Sequence, residues 1–157
     1  MHYLDNIDQQ LLQALQDNSR SSNADLARLV QLSPSGLQKR LRRLESMDYI
    51  DSYTTLLNHK KLGLGLQCFV HVSLRHDGLD STAHFEQTMT QIPYILECYR
   101  LTGEDDYMLK LIVKDVDHLQ QLLRDEFASM PAVRKYRTSI MLQKIKASTH
   151  LPVPSSN

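Results

Sequence analysis

The stretch Ser33-Pro34-Ser35-Gly36-Leu37-Gln38-Lys39-Arg40-Leu41-Arg42-Arg43-Leu44-Glu45 decides the architecture of the first half of the chain. Ser33 and Pro34 are typical of a helix start, because serine accepts a hydrogen bond from a first-turn N–H group and proline has no N–H group to leave unpaired. The following apolar residues recur at helical spacing and share one side of the helix; they are Leu37, Leu41, Leu44 and Met47. The stretch therefore predicts an amphipathic helix that packs against other helices.

Two shorter helices are predicted before this one. The segment from Leu4 to Leu15 has apolar residues at helical spacing, with Asp5 suited to cap its start and Asn18 its end. Ser22 followed by Asp25 resembles a capping box, and a short apolar face follows it, comprising Leu26, Leu29 and Val30. Because helices this short cannot bury their apolar sides alone, we expect the three to form one small bundle.

The outer side of the third helix is polar and cationic, which favours a recognition helix of the helix-turn-helix type. Such a helix uses small or polar residues to reach base edges and cations to contact phosphates. The alternative is a solvated face partly paired with Glu45. The preceding short helix and the tight turn from Gln31 to Ser33 favour DNA. The predicted base-side residues are Ser35, Gly36, Gln38 and Lys39, the predicted phosphate contacts are Arg40, Arg42 and Arg43, and Ser33 begins the DNA-facing turn.

Gly36 fits a helix interior poorly, since glycine there costs about 1 kcal/mol relative to alanine. We interpret it as allowing a close approach to the duplex.

The composition excludes several classes of protein. The 157 residues carry 18 basic and 18 acidic side chains, so any affinity for DNA must come from local clustering. Cys68 and Cys98 have no metal-ligand spacing, and we interpret both as buried thiols of a reduced cytoplasmic protein, with disulfide pairing or a reactive thiol as the alternative. The first ten residues do not resemble a signal peptide, and no run of about 18 apolar residues predicts a membrane span.

A change of pattern near residue 60 predicts a second domain. Tyr49 to Leu57 favours a short β segment or hairpin, serving as a wing or a connection, and Gly63 and Gly65 then interrupt regular structure. We therefore expect a helix-turn-helix domain over residues 1–60, with a short β wing or linker, and a second domain over residues 61–152. Residues 153–157 are rich in proline and serine and are expected to be a flexible tail.

The second half predicts the element order βαββαβ. Gln67 to Arg75 alternates, with its core face formed by Cys68, Val70, Val72 and Leu74. The further predicted elements are a helix over Thr82–Ile92, strands over Ile95–Leu101 and Tyr107–Val113, a helix over Val116–Met130 and a strand over Val133–Leu142. The predicted fold is α+β, an N-terminal winged helix-turn-helix followed by a C-terminal ferredoxin-like domain with both helices on one face of an antiparallel sheet.

Neither a metal site nor a catalytic site is predicted. The seven histidines include His71, His76, His84 and His118, but none forms a compact ligand motif such as HExxH. Glu104, Asp105 and Asp106 lack an accompanying nucleophile or glycine-rich phosphate loop, so we interpret them as solvated turn acids with one ligand contact. Taken alone, the turn from Thr102 to Asp106 is either an ordinary polar hairpin turn or a ligand loop. In a ligand loop, Gly103 would expose N–H groups to a carboxylate and Asp106 would accept from an α-ammonium.

From Leu4 to about Pro152 the chain resembles the Lrp/AsnC (leucine-responsive and asparagine regulator) family of transcription factors. The resembling stretches are Leu4-Asp5-Asn6-Ile7-Asp8, Ser22-Asn23-Ala24-Asp25-Leu26-Ala27, Leu32-Ser33-Pro34-Ser35, Arg40-Leu41-Arg42-Arg43-Leu44-Glu45 and Leu101-Thr102-Gly103-Glu104-Asp105-Asp106-Tyr107-Met108-Leu109.

The resemblance implies a regulator of transcription that binds double-stranded DNA and an amino acid or related effector, without another cofactor. It implies homodimers that pair through the C-terminal sheets and assemble into octamers or similar rings, with effector at the interfaces between dimers. Carried over by position, the loop side of the effector site would comprise Leu101, Thr102, Gly103, Asp106 and Tyr107, and the neighbouring chain would contribute Tyr136, Thr138 and Ser139.

Two other classes stay open at this point. A ferredoxin-like enzyme with an accessory helical domain would show turnover of an amino acid. A module whose helices bind protein partners would show an apolar exposed helix face, and the exposed cations argue against it.

Overall fold

The computed structural model describes residues 4–75 and 79–154 and divides the chain into two compact units. One unit comprises Met1–Leu56 together with Lys146–Asn157, and the other comprises Leu57–Ile145. The chain therefore crosses from one unit to the other twice. In this division residues 146–154 lie with the helical unit.

Three helices make up the helical unit, and each begins at the residue predicted to cap it. They are α1 (Asn6–Asp17), α2 (Asn23–Leu29) and α3 (Pro34–Ser46). The Asp5 carboxylate accepts from the Asp8 N–H group at 2.9 Å, Ser22 Oγ from Asp25 N–H at 3.1 Å, and Ser33 Oγ from Gly36 N–H at 3.2 Å. These caps satisfy N–H groups that the first helical turn leaves without backbone partners.

The bundle core is formed by Leu11, Leu26, Ala27, Val30, Leu37 and Leu44, all of them buried. Leu29 was expected on the inner face of α2 but is 55% exposed. Between α2 and α3 the chain turns sharply at Gln31, which has a φ of +54°, and the Leu32 N–H group donates to the Ala27 carbonyl at 3.0 Å. This tight connection gives the helix pair the geometry of a helix-turn-helix.

The strand or hairpin predicted from Tyr49 to Leu57 is not formed, since residues 50–57 have no strand ladder. Leu56 is 76% exposed and Leu57 is 70% exposed. Residues that favour β structure form a strand only when a neighbouring strand is available for hydrogen bonding. No described residue of this chain supplies such a strand beside residues 50–57.

The C-terminal unit has the predicted element order and topology. Its elements are β1 (Leu66–Leu74), α4 (Leu79–Gln91), β2 (Ile95–Arg100), β3 (Tyr107–Val113), α5 (Val116–Leu122), a π-helical continuation (Leu123–Ala128) and β4 (Val133–Ile140). The strands lie in the order β2-β3-β1-β4 and all pairs are antiparallel. This is the ferredoxin-like arrangement.

One face of the sheet packs against the helices. The predicted core residues of β1 are all buried there, together with the helical residues Phe85, Met89, Leu119, Leu122 and Phe127. The opposite face, which we call the open sheet face, carries the alternate strand residues. Burial raises the pKa of the Cys68 thiol to about 11. Cys98, predicted to be buried, is exposed because β2 is an edge strand.

Within the described ranges, no helix is long and apolar enough to cross a membrane.

Candidate nucleic-acid interface and ligand loop

The first turn of α3 is organised by Ser33 and Gly36. A Cβ atom on Gly36 would lie 3.2 Å from Ser33 Oγ, which is tighter than an ordinary contact. Ser33 Oγ is itself the acceptor of the Gly36 N–H group. Glycine at this position therefore leaves room for the Ser33 cap. The sequence analysis explained Gly36 only by a close approach to DNA and did not include this reason within the protein.

Two of the three arginines predicted to contact phosphate are paired with acids at the start of α1. Arg40 Nη1 lies 2.6 Å from Asp5 Oδ2 and 2.9 Å from Asp8 Oδ1, and its side chain is 26% exposed. Arg43 donates to the other carboxylate oxygen of Asp8, which has no solvent exposure. This Asp8 network joins the start of α1 to the middle of α3. The sequence analysis treated Asp5 only as a helix cap and did not identify Asp8.

The remaining polar residues of α3 lie at the surface. Ser35, Gln38, Lys39 and Arg42 are exposed, and neither Lys39 nor Arg42 has an ion pair with a described residue. Gln38 and Arg42 also border a shallow groove, which is further lined by Ser19, Asn23, Leu41, Glu45 and Tyr53. The hydroxyl of Tyr53 donates to Glu45 at 3.1 Å. Glu45, the acid on α3 that was considered as a partner for the cations, therefore has a neutral hydrogen-bond partner.

The loop between β2 and β3 is closed by backbone hydrogen bonds. The Leu101 N–H group donates to the Asp106 carbonyl at 2.8 Å, and the exposed Gly103 has a φ of +126°, which favours glycine. The Asp106 N–H group donates to the Val72 carbonyl at 2.9 Å, and Asp106 Oδ2 accepts from the Leu74 N–H group at 2.7 Å. One oxygen of the carboxylate predicted to meet an α-ammonium is therefore occupied by β1.

Tyr107 points away from the loop into the core. Its side chain is 2% exposed, its ring centroid lies 4.9 Å from that of Phe85, and its hydroxyl donates to Glu86 at 2.5 Å. Burial, together with the Glu86 carboxylate, raises the pKa of Tyr107 to about 12.

The predicted residues of β4 do not share one face of the sheet. Tyr136 and Thr138 pair with Val72 and Val70 and so lie on the helix side, where the Tyr136 ring is 6.0 Å from that of Phe127. Ser139 pairs with Phe69 and lies on the open sheet face.

Asp105 was interpreted as a solvated turn acid, and that interpretation is wrong. Its side chain is only 16% exposed, and it contacts three residues of the open sheet face: His71, Ser73 and Arg137. Alternation along β1 indicates that His71 and Ser73 share a face, but only the folded loop brings Asp105 over them.

The described residues contain no group of three or more His, Cys, Asp or Glu side chains placed to hold a metal ion. His76, named among the candidate ligands, lies outside the described residues.

The two halves of the chain match two domain families. Residues 4–51 match a winged helix-turn-helix DNA-binding domain, and residues 67–151 match the Lrp/AsnC ligand-binding domain. These matches bear out the predicted fold class of each half.

Individual relatives agree with the domain matches. The leucine-responsive regulatory protein of Escherichia coli K12 is 35% identical over 150 residues, covering 96% of this chain and 92% of its own. A transcriptional regulator of Neisseria meningitidis, solved as a complex with L-Met, is 36% identical and superimposes with a TM-score of 0.91, covering 96% of this chain and 97% of its own. An AsnC-family regulator of Agrobacterium tumefaciens is 26% identical, with a TM-score of 0.87 and coverages of 95% and 97%.

Proposed function

Because the chain belongs to the Lrp/AsnC family of DNA-binding transcriptional regulators, we propose that paired subunits place two α3 helices in successive major grooves and that a bound amino acid changes this binding. The observation that carries the proposal is the division of α3 into a buried side, an internally paired cationic edge and an exposed polar edge. A helix held this firmly presents its outer residues at a defined position.

The exposed edge of α3 supplies the DNA contacts. Arg42 contacts phosphate, while Ser35, Gly36, Gln38 and Lys39 face base edges, and Ser33 begins the first turn. Arg40 acts mainly within the Asp8 network, since its guanidinium group already donates to the carboxylates of both Asp5 and Asp8. Arg43 is 48% exposed and can contribute a long-range attraction to phosphate as well as its bond to Asp8.

The open sheet face is where a second copy of the chain binds. Phe69 and Met108 are half-buried on this face, whereas the helix side of the same strands is already covered. Burying these apolar side chains against a second sheet provides the driving force for a dimer. Dimers assemble further into octamers or similar rings, and the protein acts as a regulator in the cytoplasm without catalysing a reaction.

The effector is an amino acid, bound at the β2–β3 loop between dimers. Leu101, Thr102, Gly103 and Asp106 supply the loop side of this site, and Tyr136, Thr138 and Ser139 are contributed by the neighbouring subunit. Tyr107 supports the loop from below through its core packing. Leucine and methionine are the first candidates, because one relative is named leucine-responsive and another was solved with L-Met.

The test is selection of binding sites from random duplex DNA at near-physiological salt, repeated with L-leucine, with L-methionine and with a mixture of the other amino acids. We expect enrichment of a two-fold symmetric sequence whose half-sites lie about one helical turn apart, and a change of enrichment with one amino acid. Enrichment of no sequence would reject a sequence-specific regulator and favour the protein-interaction module. Turnover of an added amino acid, followed by mass spectrometry in the same samples, would favour the enzyme.

A further inference from the structure

Asp105 joins the ligand loop to two strands of the sheet. Its Oδ2 atom lies 3.1 Å from Arg137 Nη2 on β4 and 3.4 Å from His71 Nδ1 on β1, and its Oδ1 atom accepts from Ser73 Oγ at 3.3 Å. One carboxylate thus contacts two side chains of β1 and a third, Arg137, that the antiparallel pairing of β1 with β4 brings beside them.

The three successive acids of this loop have different surroundings. Glu104 is exposed, Asp105 is largely buried over the open sheet face, and Asp106 accepts from the backbone of β1. Asp106 therefore fixes the end of the loop, whereas Asp105 connects the loop to side chains of the sheet. Glu104, with the same charge and an adjacent position, is a matched control.

The register explains why a carboxylate is needed here. His71 and Arg137 are directly paired across β1 and β4, on the same face. Side chains at directly opposed positions lie close together, and the Arg137 guanidinium is permanently charged, so an acid beside this pair supplies its ionic partner. Asp105 supplies that charge on the face that the proposed dimer covers, where the desolvated contact would be strengthened.

We propose that Asp105 is a positioning residue that couples the β2–β3 loop to the pairing of subunits through the open sheet face. This inference rests on the proposed function. A ligand that moves the loop would move the Asp105 carboxylate relative to His71 and Arg137 and so change the stability of the dimer. Reciprocally, dimer formation would hold the loop in one arrangement.

The experiment compares the full-length wild-type protein with Asp105→Asn, Asp105→Glu, Glu104→Gln, Arg137→Gln and the double variant Asp105→Asn/Arg137→Gln. Dimer dissociation is measured by sedimentation without ligand, and loop order by amide hydrogen exchange of residues 102–104. Affinities for L-leucine and L-methionine are measured by calorimetry, and dimer dissociation is measured again with the amino acid that binds.

We expect Asp105→Asn to raise the dissociation constants of the dimer and of the bound amino acid by about fivefold each. The amide hydrogens of the loop should exchange faster, and the amino acid should no longer change the dissociation constant of the dimer. Asp105→Glu should have smaller effects on all of these quantities, because it keeps the charge. Glu104→Gln should change the two dissociation constants and the exchange rate by less than about twofold. In the Arg137→Gln background the Asp105→Asn change should have a smaller effect, because the shared contact is already lost.

Unchanged dimer dissociation and loop exchange in Asp105→Asn would overturn the inference, as would an equal loss in Glu104→Gln. If the wild-type protein bound neither amino acid, the proposed effector would be wrong. The ligand-free dimer and exchange measurements would still decide the role of Asp105.

Discussion

The carboxylate of Asp8 and the guanidinium of Arg40 form a contact across the helical unit, with Oδ1 and Nη1 2.9 Å apart and no solvent exposure of the Asp8 side chain. The same carboxylate caps the start of α1 by accepting from the Asp5 N–H group at 3.1 Å. Asp8 therefore stabilises the beginning of one helix and the position of another. Because it also binds Arg43, it determines which cations of α3 are available to DNA.

Asp8→Asn should lower the free energy of unfolding of the helical unit by about 2 kcal/mol, since it removes the buried charge that accepts hydrogen bonds from Arg40 and Arg43. The measurement is urea unfolding followed by circular dichroism. Asp51→Asn, at an exposed position, is the control and should change the stability by less than about 0.5 kcal/mol. Equal effects of the two substitutions would contradict a special role of Asp8.

Arg42→Gln and Arg40→Gln should affect DNA binding differently. Removing a phosphate contact reduces the slope of log affinity against log salt by about one unit, so Arg42→Gln should show this loss. Arg40→Gln should leave the slope nearly unchanged and lower the stability of the helical unit instead. Fluorescence anisotropy with a labelled duplex, at salt concentrations from about 50 to about 200 mM, distinguishes the two variants. The reverse pattern would return Arg40 to the DNA contacts.

Gly103→Ala should destabilise the C-terminal unit by about 1–2 kcal/mol, because alanine rarely adopts the φ of +126° found there. A Cβ atom at this position would meet no neighbour within 4 Å, so the penalty is conformational and not steric. Thermal unfolding measures it, with the exposed Thr102→Ala as the control. Stability equal to that of the control would show that the loop relaxes without strain.

Gln16→Ala should release the C-terminal tail from α1. The Gln16 side chain accepts from the Leu151 N–H group at 2.6 Å and donates to the Leu151 carbonyl at 3.1 Å, so one amide holds both backbone groups of a residue. Loss of the first bond should speed exchange of the Leu151 amide by about fivefold. Gln13→Ala, exposed on the same helix, should not do so. Unchanged exchange in Gln16→Ala would mean that other contacts hold the tail.

Lys110→Met should reduce the stability of the C-terminal unit at neutral pH and make it less dependent on pH in the acid range. A hydrogen bond from Lys110 at 2.5 Å lowers the pKa of Glu97 below its ordinary value. A carboxyl with a lowered folded-state pKa stabilises the fold above its unfolded pKa, and this contribution is lost as the pH falls through the folded value. The urea midpoints of the wild-type protein and of Lys110→Met are measured from about pH 3 to about pH 7, across the titration of carboxyl groups. The two midpoints should converge at the acid end. Curves that stay parallel would contradict the pairing.

Several elements were predictable because their signals are local. Asp5, Ser22 and Ser33 all cap helices where predicted, since capping requires only residues within one turn. The alternation of β1 predicted its core face for the same reason. The β segment after Tyr49 was wrong because a strand depends on a partner that local sequence does not supply. The predicted burial of Cys98 was wrong because β2 lies at the edge of the sheet, and the order of strands cannot be seen in the local sequence.

The sequence by itself determined where the first three helices begin, the order of strands and helices in the C-terminal unit, and the cationic character of α3. These depend on periodicity, caps and turn residues that lie close together along the chain. Only the tertiary structure decided that Arg40 turns towards Asp8 while Arg42 remains at the surface, and that Asp105 lies over His71 and Arg137. The partners in these contacts are about 30 positions apart in sequence, and whether a charge is paired depends on which residues the packing of helices and the register of strands bring within a few ångströms.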